Sequence, residues 1–419
     1  MRKIAVIGSG ISGLGAAYLL QHQYDVTLFE KQHRLGGHAR TVNVNYAGEE
    51  IAVDTGFIVF NYRNYPHLTA MFKHLDVPVK LSDMSLGLSL GGGKFEWGCQ
   101  GLSAVFAQKS NIISPRFWGM IKDILRFNKC VHQFKNSNLT LGEILLQLKM
   151  GEDFKNRFLL PTAGAIWSCS PQQILDFPAS SFINFFDNHG LLTVNDQPKW
   201  WTVDGGSIEY VNRIAANFKG EIKLNANISS VRRADDKNNV MVEVINDGEV
   251  MLFDEVVFAT HSDQALRLLV DAGTDETNIL SNITYQKNHA YLHRDNSLMP
   301  KRKAAWASWN YLCDDVVDEN AHITLTYWMN RLQSIPHDKP LFVTLNPAKT
   351  PRDEMIYDQV TFEHPVYNQA ALQAQTEMIN IQGGRGVWFC GAYMRYGFHE
   401  DGLNSAVEVA KMLGVEVPW

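Results

Sequence analysis

The 419-residue sequence predicts a two-domain α/β protein, and three observations predict it. A glycine-punctuated strand–helix–strand opens the chain. Stretches of the same α/β character return over 200–275 and at the end. Between them, from about 80 to 200, the composition turns helical and dense in aromatic residues. The length suffices for two or three packed units. A hydrophobic content of 45% and a charged content of 20% are those of a globular chain. The net charge of -6 argues against a nucleic-acid protein. Cysteines at 99, 130, 169, 313 and 390 form no C-x-x-C pair, so reduced thiols in a cytoplasmic protein are expected, with no zinc or other metal site. No run of about 18 apolar residues could span a membrane.

Ile4 to Ile7 is an apolar run of strand length. Gly8, Gly10 and Gly13 follow as G-x-G-x-x-G, and Ile11 and Ser12 open a helix that carries Gly15, Ala16, Ala17, Leu19 and Leu20. Val26 to Phe29 is a second strand, ending at Glu30, seventeen residues after Gly13. Each part has a mechanical reason. Gly8 permits the tight turn, Gly10 lets a pyrophosphate approach the backbone, and Gly13 lets the helix pack on the sheet. The helix N-terminus faces phosphates, and Glu30 can accept from ribose hydroxyls. The unit is therefore expected to be Rossmann-like and to bind a dinucleotide, the alternative being an ordinary glycine-rich β-α turn that binds nothing. The first residues superficially resemble a signal peptide, but the glycines cut the apolar stretch short.

Lys31 to Arg34 leads to the pair Gly36-Gly37 and then His38, where backbone is expected close to a ligand. Alternation over 42–44 and 51–53 predicts a hairpin about Ala47-Gly48, leading to Asp54-Thr55-Gly56-Phe57. A helix is predicted from Pro66 to about Leu75. Strands follow over 86–90 and 94–97, then helices over 115–134, 141–149 and 153–158, and a small-residue stretch over 161–170 with Trp167. Asp204-Gly205-Gly206-Ser207 opens another helix. Strands are expected over 222–224, 228–232, 240–245 and 255–260, with His261 capping the next helix. Aromatic strands over 289–293, 305–310 and 323–328 suggest a sheet walling a pocket. A strand over 386–391 and a helix over 402–413 close the chain.

Together these motifs resemble those of the flavin amine oxidases, phytoene desaturases and protoporphyrinogen oxidases, and particularly of bacterial amine oxidase-like proteins ending in G-F-H-E-D-G-L. The likeness covers the first 60 residues, the Asp204-Gly-Gly block, the 222–260 strands and the last 35 residues. It implies a Rossmann-like FAD-binding domain (1–75, 202–275 and 380–419) and a discontinuous α+β substrate domain with a helical insertion (76–201 and 276–379). FAD would be held noncovalently. The resemblance places the block Lys31, Arg34, Gly36, Gly37 and His38, with Thr55, Gly56 and Phe57, along the cofactor. It adds the backbone of Val231 at the adenine, the strand ends Ala259, Thr260 and Gly391, and the helix start Asp401, Gly402 and Leu403 at the flavin. A helix N-terminus there would stabilise the negative charge of a reduced flavin. Departures are informative. His38 stands where the family has Arg, so Arg40 or Arg34 is left to meet phosphate. Ala392 replaces an acid. The near-flavin lysine falls at about Lys287 or Asn288.

Among residues that could carry chemistry, His399 either takes a proton during C–H oxidation or hydrogen-bonds its loop. His289, Tyr291 and His293 alternate along one strand and would share a face. With Trp309, Tyr393, Phe398 and Trp167 they are candidates for a substrate pocket. The expected reaction is hydride removal from an apolar small molecule or lipid, acyl or polyene, with an amine as second candidate. The rivals are a redox-neutral isomerase and a dinucleotide-binding protein without chemistry. The basic, aromatic helix near 116–129 either touches a membrane at its inner face or presents a solvated edge.

Overall fold

The computed structural model describes residues 1–167, 171–188, 190–193, 197–236, 239–314 and 324–419. A five-stranded parallel sheet forms from Glu221–Lys223, Tyr24–Phe29, Arg2–Ile7, Glu255–Phe258 and Val387–Phe389, in that order. Alternate side chains of its strands face opposite ways, as the pleat requires. Ile4, Val6, Val26 and Leu28 pack under the helices Ile11–Leu20 and His399–Met412. Ala5, Ile7, Phe29 and Phe258 pack under the antiparallel strands Ile228–Asp236, Asn239–Asn246 and Glu249–Phe253. Both faces are thus covered, as a parallel sheet requires.

A seven-stranded sheet forms the second body, in the order Ile356–Val366, Thr284–His293, Phe342–Leu345, Thr324–Trp328, Trp309–Cys313, Leu86–Leu90, Phe95–Gly98. Only the Trp309–Cys313/Leu86–Leu90 pair is parallel. The helices Pro115–Cys130, Leu141–Gln147 and Ala179–Asn188 bury Phe127, Phe154, Phe182, Phe185 and Phe186 in a core of their own. The predicted hairpin forms as Thr41–Tyr46 and Glu49–Asp54, with Ala47 and Gly48 both at positive φ, the signature of a two-residue turn. A small sheet of Val59–Asn61, Trp200–Val203 and Val79–Leu81 runs across the boundary expected near residue 75.

Three expectations differ. Residues 305–310 are not one strand: a short helical turn, Lys303–Ala305, precedes the strand Trp309–Cys313. The Asn310 side chain causes this, accepting from Ala307 N at 2.9 Å and donating to Ala307 O at 2.6 Å, which closes a local turn. The last helix begins at His399 rather than Gly402, because Asp401 accepts from Phe398 N at 2.9 Å and caps a start one turn earlier. The 153–158 helix widens into a π turn over Lys155–Leu159 and continues as Leu160–Trp167. The rest of the 161–170 stretch, Cys169 included, lies outside the described residues, as does the Trp167 side chain.

Candidate functional site

The two ends of the chain meet at one place. A Cβ on Gly13 would stand 1.8 Å from Gly8 O, so only glycine fits that helix turn. A Cβ on Gly402 would meet Ile11 Cγ2 at 2.8 Å and Ser12 Oγ at 2.9 Å, and one on Gly15 would meet Leu403 at 2.6 Å. The first turns of the Ile11–Leu20 and His399–Met412 helices therefore lie side by side, so their positive ends work together. Gly36 N donates to Ser9 O at 3.0 Å, and Gly37 sits against Gly10, where its Cβ would be 3.0 Å from Gly10 Cα. Gly56 lies under the His38 carbonyl, and Phe57 N donates to that oxygen at 2.9 Å. Ala259 joins the turn by donating to Ile7 O at 2.8 Å, followed by Thr260. Gly391 N donates to Ser405 Oγ at 2.9 Å. Of these cradle glycines, Gly10 has nothing among the described residues within 4 Å of a Cβ, so the turn leaves room over its own backbone.

Glu30 is buried beneath this cradle. Its Oε2 accepts from Ser9 N at 3.0 Å and Ser9 Oγ at 2.6 Å, and its Oε1 accepts from Gln32 N at 2.8 Å. It fixes the glycine turn and keeps acceptor capacity on both oxygens. Neither arginine is free for phosphate. Arg40 is bidentate to Asp358 and also donates to Thr55 Oγ1, while Arg34 donates to the carbonyls of Leu35, Gly37 and Ala39. Lys31 is exposed. The Val231 carbonyl already accepts from Val270 N at 3.0 Å.

The pocket expected on the Thr284–His293 strand is rearranged. His289 is exposed and bonds Thr361 Oγ1 at 3.0 Å, and Tyr291 is half-buried on the same face. A register shift against Ile356–Val366 at Leu292/His293 turns His293 inward, where it is fully buried against Thr344 Oγ1 at 2.7 Å. The three do not share a face, because strict alternation fails at a bulge. Lys287 points outward opposite Glu363. Its neighbour Asn288 is the inward residue, meeting His364 Nδ1 at 3.0 Å and accepting from Asn346 Nδ2 at 2.7 Å. Trp309 packs edge-on against Tyr327 at 5.1 Å, and Phe398 stacks on Phe185 at 5.1 Å, against the helical core.

A neutral wall replaces the expected pocket. The His38 ring stacks on Phe362 at 4.8 Å, with His364 at 5.5 Å and His261 at 6.5 Å. His261 in turn stacks on Tyr285 at 4.3 Å. Burial holds His38 well below its ordinary pKa, holds His364 at about 4 and lowers His261. All three rings are uncharged at neutral pH, while burial keeps Tyr285, Tyr367 and Tyr393 protonated. Among the described residues, His38 Nε2, His261 Nδ1, Tyr367 Oη and Tyr393 Oη are buried with no hydrogen-bond partner. Among those residues no group of His, Cys, Asp and Glu is placed to hold a metal ion. Motif reading passed over Phe362 and His364. Their signal was alternation on the last long strand, whose residues 362 and 364 pair opposite Asn288 and Gln286.

His399 is not exposed for proton transfer. It stacks on Phe57 at 3.9 Å, bonds Tyr210 Oη at 2.8 Å, and burial lowers its pKa to about 3. Its neighbours in that first helical turn are acids held partly protonated by burial, Glu400 at about 7 and Asp401 at about 6. The Glu400 carboxylate accepts from His67 N and Leu68 N, both at 2.9 Å, and so caps the Pro66–His74 helix. Its raised pKa means the folded state binds a proton that the unfolded state releases. Glu400 therefore favours folding less as pH rises from about 4.5 to about 7. Glu400→Gln is expected to flatten the fall in urea midpoint between pH 5 and pH 8; an unchanged slope would remove this assignment.

The fold is that of an amine-oxidase-like flavoprotein, a class of oxidoreductases. Residues 11–293 match the family of flavin containing amine oxidoreductases, and the chain belongs to that family. A search of the curated proteins finds no match. Among solved structures, it is similar to a CLA-producing fatty acid isomerase from P. acnes (TM-score 0.70, 16% identity, 99% of each chain covered). It is similar also to cyclohexylamine oxidase from Brevibacterium oxydans IH-35A (TM-score 0.66, 14% identity, 99% of each chain). A putrescine oxidase bound to putrescine has a TM-score of 0.66 at 12% identity over 98% of each chain. At these identities the likeness establishes the amine-oxidase-like fold.

Proposed function

We propose that the protein holds FAD noncovalently and removes a hydride equivalent from an uncharged, apolar substrate, an acyl or polyene chain ahead of an amine. The residues present fit the cofactor. Room is left over Gly10, two helix N-termini converge beside it, and His38 Nε2 and Tyr393 Oη are buried without a hydrogen-bond partner among the described residues. Gly8, Gly10 and Gly13 with the start of the Ile11–Leu20 helix would hold the pyrophosphate, and Glu30 the ribose. Asp401, Gly402 and Leu403 would meet the flavin ring. When bound, FAD supplies a two-electron acceptor. The chain itself would supply position and dryness: Phe57, Phe362 and Tyr393 would exclude water, and Asn288 is held by His364 and Asn346.

The observation that carries the substrate class is the neutral wall of His38, His261 and His364 with Phe362. An ammonium brought against it would lose its hydration, and the carboxylate at the wall's edge, Glu363, already lies 3.7 Å from His261 Nδ1. Anaerobic mixing of the flavin-loaded protein with amines, unsaturated acyl lipids and polyenes tests this. Bleaching by lipids or polyenes is expected, and bleaching by amines alone would reject it. The full-length likeness to a fatty acid isomerase favours a second reading, redox-neutral isomerisation. Turnover that requires prereduced flavin, with no net electron transfer, would select it.

A further inference from the structure

We propose that the segment 102–129 is a docking surface for an anionic lipid bilayer. Large apolar side chains stand bare there: Ile113 is 84% exposed, Leu102 77%, Leu125 54%, Ile112 50% and Trp118 48%. They form one surface. The Trp118 indole N–H donates to Ile112 O at 2.9 Å, fixing its ring beside the Lys109–Ile113 turn, and Phe106 meets that ring at 5.9 Å. Along the Pro115–Cys130 helix, Trp118, Lys122, Leu125 and Lys129 are all exposed and spaced to share one outward stripe. The opposite side carries Phe117, Met120 and Phe127, buried in the core. The stripe is therefore mounted on a rigid base.

Charge identifies the occupant. Between residues 101 and 135 stand Lys109, Arg116, Lys122, Arg126, Lys129 and Lys135 against the single acid Asp123, in a chain whose net charge is -6; Arg116 and Lys135 are ion-paired with Asp153 and Asp187 from outside the segment, so exposed Lys109, Lys122 and Lys129 carry the surface charge. Asp123 is paired with Arg126, off the outward stripe. Exposed Lys301 and Lys303 extend the basic rim, since the Lys303–Ala305 turn packs against Leu102–Val105. Apolar side chains flanked by lysines, with no acid on the stripe, match an interface of acyl chains beneath anionic headgroups. A protein partner would not need that one-sided charge.

The inference does not rest on the redox reading, because vesicle binding is measured without turnover. The flavin-loaded protein is sedimented with vesicles of equal phosphatidylglycerol and phosphatidylcholine, and with phosphatidylcholine alone, at low and high salt. Binding to the anionic vesicles, weakened by salt, is expected. Lys122→Glu with Lys129→Glu, and separately Ile113→Ser with Trp118→Ala, should each weaken it by about tenfold or more while circular dichroism and flavin content stay unchanged. No binding to anionic vesicles would overturn the proposal. So would binding that both variants leave intact, or a vesicle-free dimer that Ile113→Ser with Trp118→Ala dissolves.

Discussion

Gly13→Ala is expected to give a destabilised, colourless protein, whereas Gly10→Ala should fold as the parent does and still hold little flavin. The two glycines stand in one motif and differ in what surrounds them. A Cβ at Gly13 would lie 1.8 Å from Gly8 O, and both atoms belong to rigid elements. Relief requires shifting the helix off the sheet, a cost of about 3 kcal/mol or more. At Gly10, φ is -63° and nothing among the described residues lies within 4 Å of a Cβ, so alanine meets no strain in the flavin-free fold. Its methyl would instead occupy the space the pyrophosphate needs. Urea midpoints of the flavin-free proteins and flavin absorbance per chain separate the outcomes. Full flavin content in Gly10→Ala would remove the cradle from the account.

Asp54→Ala should cost roughly 3 to 5 kcal/mol. Its Oδ1 accepts from Thr41 Oγ1 at 2.6 Å and Ser207 Oγ at 2.7 Å, and its Oδ2 accepts from Ser207 N at 3.0 Å and Gln333 Nε2 at 3.0 Å. Asp54 N is in turn the donor to Gln333 Oε1 at 2.9 Å. One carboxylate thus ties the Thr41–Asp54 hairpin, the start of the Ile208–Asn217 helix and Gln333 of the second body. Alanine would leave those donors buried without acceptors. Burial raises the Asp54 pKa from 3.8 to about 6 despite these bonds. The folded state then binds the proton more tightly than the unfolded state, so this residue's contribution to stability falls as pH rises from about 4 to about 6. Asp54→Asn, keeping one acceptor oxygen, should lose less and show a flatter profile over that range. A loss below about 1 kcal/mol in Asp54→Ala would show the clasp to be dispensable.

Legibility in the sequence tracks how local each cause is. The Gly8-to-Glu30 unit could be read because every cause lies within a few turns: apolar runs of strand length, small residues where helix meets sheet, and an acid at the strand end. The Ala47-Gly48 hairpin was readable for the same reason. The Thr284–His293 face was misjudged because alternation assumes an even strand, and the irregularity at Leu292/His293 is set by its partner strand. The choice between Lys287 and Asn288 likewise needed that pairing. His364 and Phe362 were missed because their importance comes from His38, more than 300 residues away. Arg34 and Arg40 looked available for phosphate until Asp358 and the nearby carbonyls were seen to hold them.

Local sequence sufficed for the glycine-lined turn, the order of its strands and helices, and a second body rich in aromatic residues. Backbone sterics and short-range periodicity govern those features. Only the tertiary structure decided that the first and last helices start side by side, that Asp54 and Glu400 act as clasps, and that three histidines form an uncharged wall. Those outcomes depend on desolvation and hydrogen bonding between segments hundreds of residues apart, which no local pattern carries.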